Sequence, residues 1–472
     1  MGQVVGETTS NDPEPKGETV TTAIADRAAP QASAYPRRAY AFFVVAILMI
    51  ASCHSQMDKQ FPMLLVKPIR AAFDITDTQI SLFQGAAFAV FYAFMGPVFG
   101  RMVDFRNRRN LIIFGILFWS VMTVSAGFAQ TYWQLLLSRV GVGIGEAVLA
   151  PAAYSMIADY VEPQVRGRAM GIYMAAVSAG TALSLFLGGA IVGAVSQGPL
   201  VDLPLLRDMA PWQTAFVIVG APGFITALLM LLVREPKRQG DGSAPEVGEK
   251  RPSAEFVAYI KRNRKAFGCV LAAQVLVHFV GNCIVPWVPT FFVRTYDMPA
   301  AKVGMILGIL LFAGSSTGFF LSGFISDRLL ARGRPDARLR PLFVGYLIFI
   351  PAVIIWPLAG NPTVSFAVFT LQCVGHVMAV ATLPMTTQEV VPARMRGQAV
   401  TLVLLVTTLL GWAVGPTAVA LVTDYVFHDD NALKYSLVLT TVPTAALALL
   451  VAWFGRNAFL ETRAKLIAQP TG

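Results

Sequence analysis

The chain has 472 residues, 55% of them hydrophobic and only 14% charged. Soluble domains carry about 25% charged residues, so the composition excludes an ordinary soluble enzyme, a disordered chain and a disulfide scaffold. The net charge of +10 would suit nucleic acid, but a mean hydropathy of +0.61 puts a membrane first, and the placement of the basic residues decides between them.

The first 36 residues are polar and hold no apolar run. They read as a disordered tail rather than a signal peptide. A helix crosses the roughly 30 Å hydrocarbon core in about 20 residues. Apolar stretches of that length predict twelve spans, at roughly 39–66, 78–102, 109–129, 131–159, 165–196, 211–233, 265–293, 299–326, 340–358, 362–390, 396–423 and 433–456. The break at Gly360-Asn361-Pro362 is a turn signal that divides one long apolar stretch into two helices. The expected fold class is an all-α membrane protein: a tail (1–36), a six-helix bundle (37–234), a polar linker (235–264), a second six-helix bundle (265–458) and a tail (459–472). Cys53, Cys269, Cys283 and Cys373 all fall in apolar runs and read as small buried hydrophobes.

With the N-terminus in the cytoplasm, 27 Lys and Arg fall in cytoplasmic segments and 6 on the opposite side. That asymmetry orients the chain with both termini and the linker inside. The expected location is the plasma membrane, the inner membrane in a bacterium. The positive charge is thus an orientation signal, and no nucleic-acid partner is expected.

The halves repeat. Gly100-x-x-x-Asp104 recurs as Gly323-x-x-x-Asp327, a shift of 223. Glu146 has a partner in His376, Asp159 in Glu389 and Arg166-Gly167 in Arg396-Gly397, each at a shift of 230. Parallel repeats of six helices are a transporter plan. At these residues the chain resembles the major facilitator superfamily. Gly100 to Arg109 is similar to its loop motif between helices 2 and 3, and Arg139 to Ala147 to its helix-4 motif. Met57-Asp58-Lys59-Gln60, Asp77 to Gly85 and Ala152 to Tyr160 resemble the spinster-like branch more narrowly. The chain departs from that branch at Lys59, where Arg is usual. Lys is a compact charge that cannot form Arg's bidentate pairs.

Charges at the bilayer centre cost about 2.5–3.5 kcal/mol, so those present must face a cavity or a partner. They are Asp58 and Lys59 in helix 1 and Arg139 and Glu146 in helix 4, with His54, His278, His376 and Asn282 as weaker additions. At about 1.5 Å per residue, His54 and Glu146 fall near mid-depth, and Asp58 and Arg139 in the outer half. The expected contacts are an Asp58–Arg139 ion pair and Glu146 facing His54. The resemblance places helices 1 and 4 on the central cavity and implies a protonatable acid at Asp58. A carboxylate in a low dielectric binds a proton more readily, so movement of Arg139 between a carboxylate and a substrate anion would couple protons to substrate. The competing reading is a structural charge network, and the His residues also fit satisfied core side chains.

Further candidates follow. Tyr92, Tyr154, Phe279 and Trp287 are candidate cavity aromatics, against a packing role. Helix 7, with Gly281, Asn282 and Pro286, is a candidate hinge and substrate contact. Gly141, Gly143, Gly145, Gly188 and Gly189 permit close helix approach. By resemblance, Gly100, Asp104, Arg108, Arg109, Arg166, Arg168, Gly323, Asp327, Arg328 and Arg396 form a cytoplasmic gate that latches the bundles in the outward-open state. Arg106, Arg332 and Arg334 fit the positive-inside rule alone. No phosphate-binding Gly-Lys-Ser/Thr loop and no metal-site spacing occur, so neither ATP-driven transport nor a metal, cofactor or enzyme activity is expected. The leading expectation is a monomeric, proton-coupled secondary transporter of an amphipathic, lipid-like or organic-anion small molecule. The alternatives are proton symport of small (aromatic) carboxylates, and a non-transporting sensor with the same fold.

Overall fold

The computed structural model describes residues 35–197, 208–236, 238, 254–392 and 395–468. The expected first tail and most of the linker lie outside these residues, as do Arg207, Lys237 and Arg394 from the charge count. Among the described residues, twelve helices are long and apolar enough to cross a membrane. They are α1 (Arg38–Leu64), α2 (Asp77–Phe105), α3 (Arg108–Ala126), α4 (Tyr132–Tyr160), α5 (Pro163–Ser196), α6 (Pro211–Leu231), α7 (Arg264–Tyr296), α8 (Ala300–Ala331), α9 (Arg340–Leu358), α10 (Pro362–Glu389), α11 (Arg396–Phe427) and α12 (Asp430–Ala468).

Local chemistry sets several starts. Thr76 and Thr131 form capping boxes with Gln79 and Gln134, which satisfy the orphan N–H groups of α2 and α4. Asn107 and Asn361 cap α3 and α10. The Gly360-Asn361-Pro362 break separates α9 from α10, as the turn signal predicts.

Two polar segments are more structured than hydropathy indicates. The segment expected as a C-terminal tail continues α12 as helix to Ala468. The linker contains a helix, Ala254–Arg262. Phe459 and Phe256, one from each, are buried in the same cluster with Phe267 and Val390. Amphipathic packing holds these segments helical where charge density ends the apolar window.

Helices α1–α6 and α7–α12 make two halves that meet along two seams. At the α5–α8 seam Gly189 and Gly304 bring backbones together: a Cβ on Gly189 would lie 2.6 Å from the Ala301 carbonyl. At the α2–α11 seam a Cβ on Gly85 would lie 2.5 Å from the Trp412 carbonyl. The other expected glycines pack within or beside the first half, Gly143 against the Phe88 backbone and Gly145 against Trp119.

The polar contacts seen between the halves, among the described residues, cluster on the face away from the chain ends, here the far face. Asp77, with a completely buried side chain, accepts from Nη1 and Nη2 of Arg294, both at 2.6 Å. Arg70 lies 3.0 Å from Asp77 and 2.5 Å from Asp430. Asp424 accepts from the backbone N–H of Thr78 at 2.7 Å and its hydroxyl at 2.6 Å. Ser81 reaches Thr417 at 3.2 Å.

The terminal face differs. Asp104 and Asp327 are exposed, and a Cβ at Gly100 or Gly323 would meet nothing within 4 Å among the described residues. Arg108 and Arg109, expected to latch the halves in the outward-open state, take partners here from α4 and the α6 end. Arg108 pairs with Asp159 at 2.5 Å and Glu235 at 2.8 Å. Arg109 donates to the Leu231 carbonyl at 2.9 Å. Arg166 donates to the Val161 carbonyl at 3.3 Å; Arg168, Arg328 and Arg396 are exposed. Arg108 is buried at the start of α3, and these partners meet the cost of its buried charge.

Removing one partner of a buried ion pair costs about 3–5 kcal/mol. Asp77→Ala is therefore expected to open the far face, shifting the closed-to-open ratio by about 100-fold or more. Spin labels at the exposed positions Ala71 and Asn431 read this as longer distances; an unchanged distribution rules out the latch.

Candidate functional site

Helix α4 loses its regular pattern at Ala147 and Val148, directly after Glu146. Gly143 admits the α2 backbone and Gly145 admits α3, so Glu146 is enclosed at the meeting of α1 to α4. All four ionisable side chains expected here are present together, and each is substantially shielded from solvent. Lys59 is the most accessible, at 12%, and the others are buried.

The pairing differs from the expectation. Lys59 Nζ lies 2.8 Å from Glu146 Oε2. Ser55 donates to the same oxygen at 2.6 Å and accepts from Lys59 at 3.0 Å, closing a three-membered network. Arg139 donates to the main-chain carbonyl of Asp58 at 3.0 Å, not to its carboxylate. His54 faces Asp58 rather than Glu146: its Nε2 lies 3.7 Å from Asp58 Oδ2 and 3.1 Å from the Val219 carbonyl. Both oxygens of the Asp58 carboxylate are buried without a hydrogen bond.

Aromatic rings flank both cations. Lys59 Nζ lies 5.5 Å from the Phe88 centroid, 5.3 Å from Tyr92 and 6.0 Å from Trp412. The Arg139 guanidinium lies 5.5 Å from Phe83 and 5.6 Å from Phe88. Each such contact contributes about 0.5–2 kcal/mol. Trp412 belongs to α11, so the Lys59 cage spans the α2–α11 seam.

A cavity of about 340 Å³ sits against this wall. The first half contributes Lys59, Gln60, Gln84, Phe88 and Arg139; the second contributes His278, Asn282, Phe319, His376 and Trp412. Asp58, Glu146 and His54 lie behind the lining. His278 and Asn282 are held within α7, by the carbonyls of Gln274 at 3.0 Å and His278 at 2.8 Å. His376 packs into the notch left by Gly281.

Three expected cavity aromatics are placed elsewhere, and Tyr92 stands behind the lining. Trp287 is completely buried and donates to the Pro416 carbonyl at 2.9 Å, holding α7 to α11. Phe279 packs against the main apolar core. Tyr154 is 39% exposed, edge-on to Tyr173 and two turns beyond Glu146 toward the terminal face. Tyr92 stacks on Phe88 and completes the cage. In a helix that is apolar all round, spacing does not tell a cavity face from a packing face.

Gln60 and Gln84 were not singled out as site residues in the sequence. The available signal was polarity: each is an uncharged amide inside an apolar span. Gln84 sits on a π-helical turn, Leu82–Ala86, and α11 carries another, Thr408–Val414, that contains Trp412. Such turns often mark functional sites, and hydropathy does not reveal them.

A larger cleft, about 640 Å³, lies on the far face between the ends of α1, α5, α7 and α8. It holds none of the buried charges except Arg294, which is already committed to Asp77. The smaller central cavity is therefore the candidate site. Oxygens of Asp77, Asp424 and Asp430 approach within 4.8 Å of one another, but they already take Arg70, Arg294 and Thr78. That cluster is an ion-pair and hydrogen-bond network joining the two halves.

Comparison with known proteins agrees with this architecture. The family model described as Major Facilitator Superfamily matches residues 44–416. The chain is 29% identical over 405 residues to an MFS-type efflux pump of Mycolicibacterium smegmatis, covering 84% of this chain and 87% of the pump. It is 29% identical over 258 residues to human protein spinster homolog 1, covering 53% of this chain and 46% of that protein. The crystal structure of a bacterial homolog of the human lysosomal transporter spinster, in an inward-facing and unoccupied conformation, superposes with a TM-score of 0.76. It is 26% identical and is covered completely by 92% of this chain. The chain belongs to the major facilitator superfamily, is similar within it to the spinster homologs, and is a transporter, not an enzyme.

Proposed function

We propose that this chain is a proton-coupled secondary transporter of an amphipathic organic anion, working by alternating access in the plasma membrane with its terminal face in the cytoplasm. The carrying observation is the buried charge set on the wall between α1 and α4. Lys59 and Glu146 neutralise each other at 2.8 Å. Arg139 is tied only to a main-chain carbonyl, so its charge is available to a ligand. Asp58 has His54 as its ion-pair neighbour and no hydrogen bond.

The electrostatics then give a sign. With Asp58 ionised, the four groups sum to zero. With Asp58 protonated, one positive charge remains beside the cavity. An anion and a proton therefore favour each other's binding and travel together. The tighter far face, and the open space beside Gly100 and Gly323, fit a state open to the cytoplasm. Asp104 and Asp327, now exposed, would close the terminal face when the far face opens.

A small-carboxylate reading calls for several converging Arg or Lys. Arg139 and Lys59 are the cations on this cavity, and Lys59 is already paired. Phe88, Phe319 and Trp412 instead provide an apolar wall, which favours an amphipathic ligand.

Two outcomes test this. Asp58→Asn mimics the protonated form, so in proteoliposomes it should abolish pH-gradient-driven flux while the protein still folds and melts cooperatively; unchanged pH-dependent flux removes the proton site from Asp58. Asp104→Ala should favour the terminal-open state. Labels at Asn107 and Arg332 then report longer distances than in the unmutated chain, and identical distances rule out a latch at Asp104.

A further inference from the structure

The wall that α7 gives to the central cavity presents acceptors. His278 Nδ1 lies 3.0 Å from the Gln274 carbonyl. A carbonyl only accepts, so the proton of the neutral imidazole sits on Nδ1 and leaves Nε2 as a bare acceptor. Asn282 donates its amide N–H to the His278 carbonyl at 2.8 Å, which leaves its Oδ1 as a second acceptor. Both residues line the cavity and are four apart, on one helical face. His278 Nε2 and Asn282 Oδ1 have no protein partner among the described residues, and neither atom is sealed. The sealed polar atoms of this lining are others: Arg139 Nε, Gln60 Oε1, the Gln84 amide and His376 Nδ1.

The first-half wall has the opposite character. Arg139 commits Nη1 to the Asp58 carbonyl and its Nε is sealed, so Nη2 is the donor it has left. Lys59 lines the same wall. No carboxylate lines the cavity among the described residues. An ammonium group on a ligand would therefore find no counter-ion here, and no anion is in place to hold His278 as imidazolium. His376 packs at the Gly281 notch, on the turn of α7 between His278 and Asn282. An imidazole can donate or accept there, so His376 does not set the sign of this wall.

We propose that the α7 wall is a second subsite of the cavity: His278 Nε2 and Asn282 Oδ1 accept from an uncharged O–H or N–H group at the end of the ligand remote from its anionic group, which Arg139 holds. This rests on the reading of the cavity as the site for an amphipathic anion and deepens it by naming the ligand's second pole. A plain fatty acid would set its methyl end against two acceptors, and an acceptor buried without a donor is costly. A ligand with both poles bonds to α4 in the first half and to α7 in the second, with its apolar part against Phe88, Phe319 and Trp412. It thereby joins the halves across the cavity. The volume of about 340 Å³ lies near the lower end for small-ligand sites, about 300–1,000 Å³, and suits a short, flexible chain.

Calorimetric titration of the full chain in detergent with octanoate, 8-hydroxyoctanoate and 8-methoxyoctanoate tests this. The methoxy acid carries the same terminal oxygen as the hydroxy acid but has no proton to give. One added buried hydrogen bond makes the hydroxy acid bind about fivefold tighter than octanoate. The methoxy acid should bind no tighter than octanoate. Asn282→Ala combined with His278→Phe removes both acceptors and should bring the hydroxy acid to within about twofold of octanoate. If that variant does not purify as a folded protein, Asn282→Val with His278→Leu serves in its place and is read in the same way. Equal affinities for octanoate and the hydroxy acid in the unmutated chain overturn the subsite. So does a methoxy acid that binds as tightly as the hydroxy acid. A fivefold preference that persists in the double variant also overturns it, because residues with a merely structural role would weaken all three acids alike. Absence of saturable binding by every acid removes the anion reading together with the subsite, whereas equal binding removes the subsite alone. The titration uses no pH gradient, so neither result touches the proton assignment at Asp58.

Discussion

The cost of charge in hydrocarbon organises this molecule. Two cations and two acids sit between α1 and α4, where each alone would be expensive to insert. Lys59 and Glu146 meet this cost together, with Ser55 bridging them. Their contact brings α1 and α4 to a shared wall, and Gly143 and Gly145 make room for α2 and α3 to close over it. Once this pair is neutral, Asp58 and Arg139 are the groups whose charges remain to be balanced. The cavity forms beside Arg139.

The two halves share a plan but not a chemistry. The first half carries the buried charges, and the second offers His278, Asn282 and His376. Where the first half has Glu146, its repeat partner is His376, packed into the Gly281 notch. The proposed alternating-access cycle needs the charged wall to stay intact while the seams reform. The charges accordingly pair within the first half. The seams are built from glycines, the Trp412 edge and the far-face ion pairs around Asp77.

Much of the fold could be read from the sequence, because charge exclusion is written residue by residue. Most of the twelve spans follow from that rule, and the α9–α10 break follows from the Gly360-Asn361-Pro362 turn signal. The rule failed where packing replaces hydropathy as the reason for helix. Residues 459–468 and 254–262 are polar enough to read as tail and linker, yet Phe459 and Phe256 bury against the second half. At the site, depth could rank residues but not turn them. Asp58 and Lys59 differ by about 1.5 Å in height and about 100° in direction. A depth argument therefore pairs Asp58 with Arg139, while the observed helix rotation gives Glu146 to Lys59.

By itself, the sequence determined which residues must lie in the membrane, how the chain repeats and which charges need partners, because these follow from composition along a line. Only the tertiary structure decided which partner each charge takes, that Trp287 and Phe279 pack while Gln60 and Gln84 line the cavity, and that ion pairs join the halves at the far face. Those outcomes depend on helix rotation and on π turns in α2 and α11. Both are set by contacts between residues far apart in the chain, and a one-dimensional pattern of apolar and polar residues does not carry them.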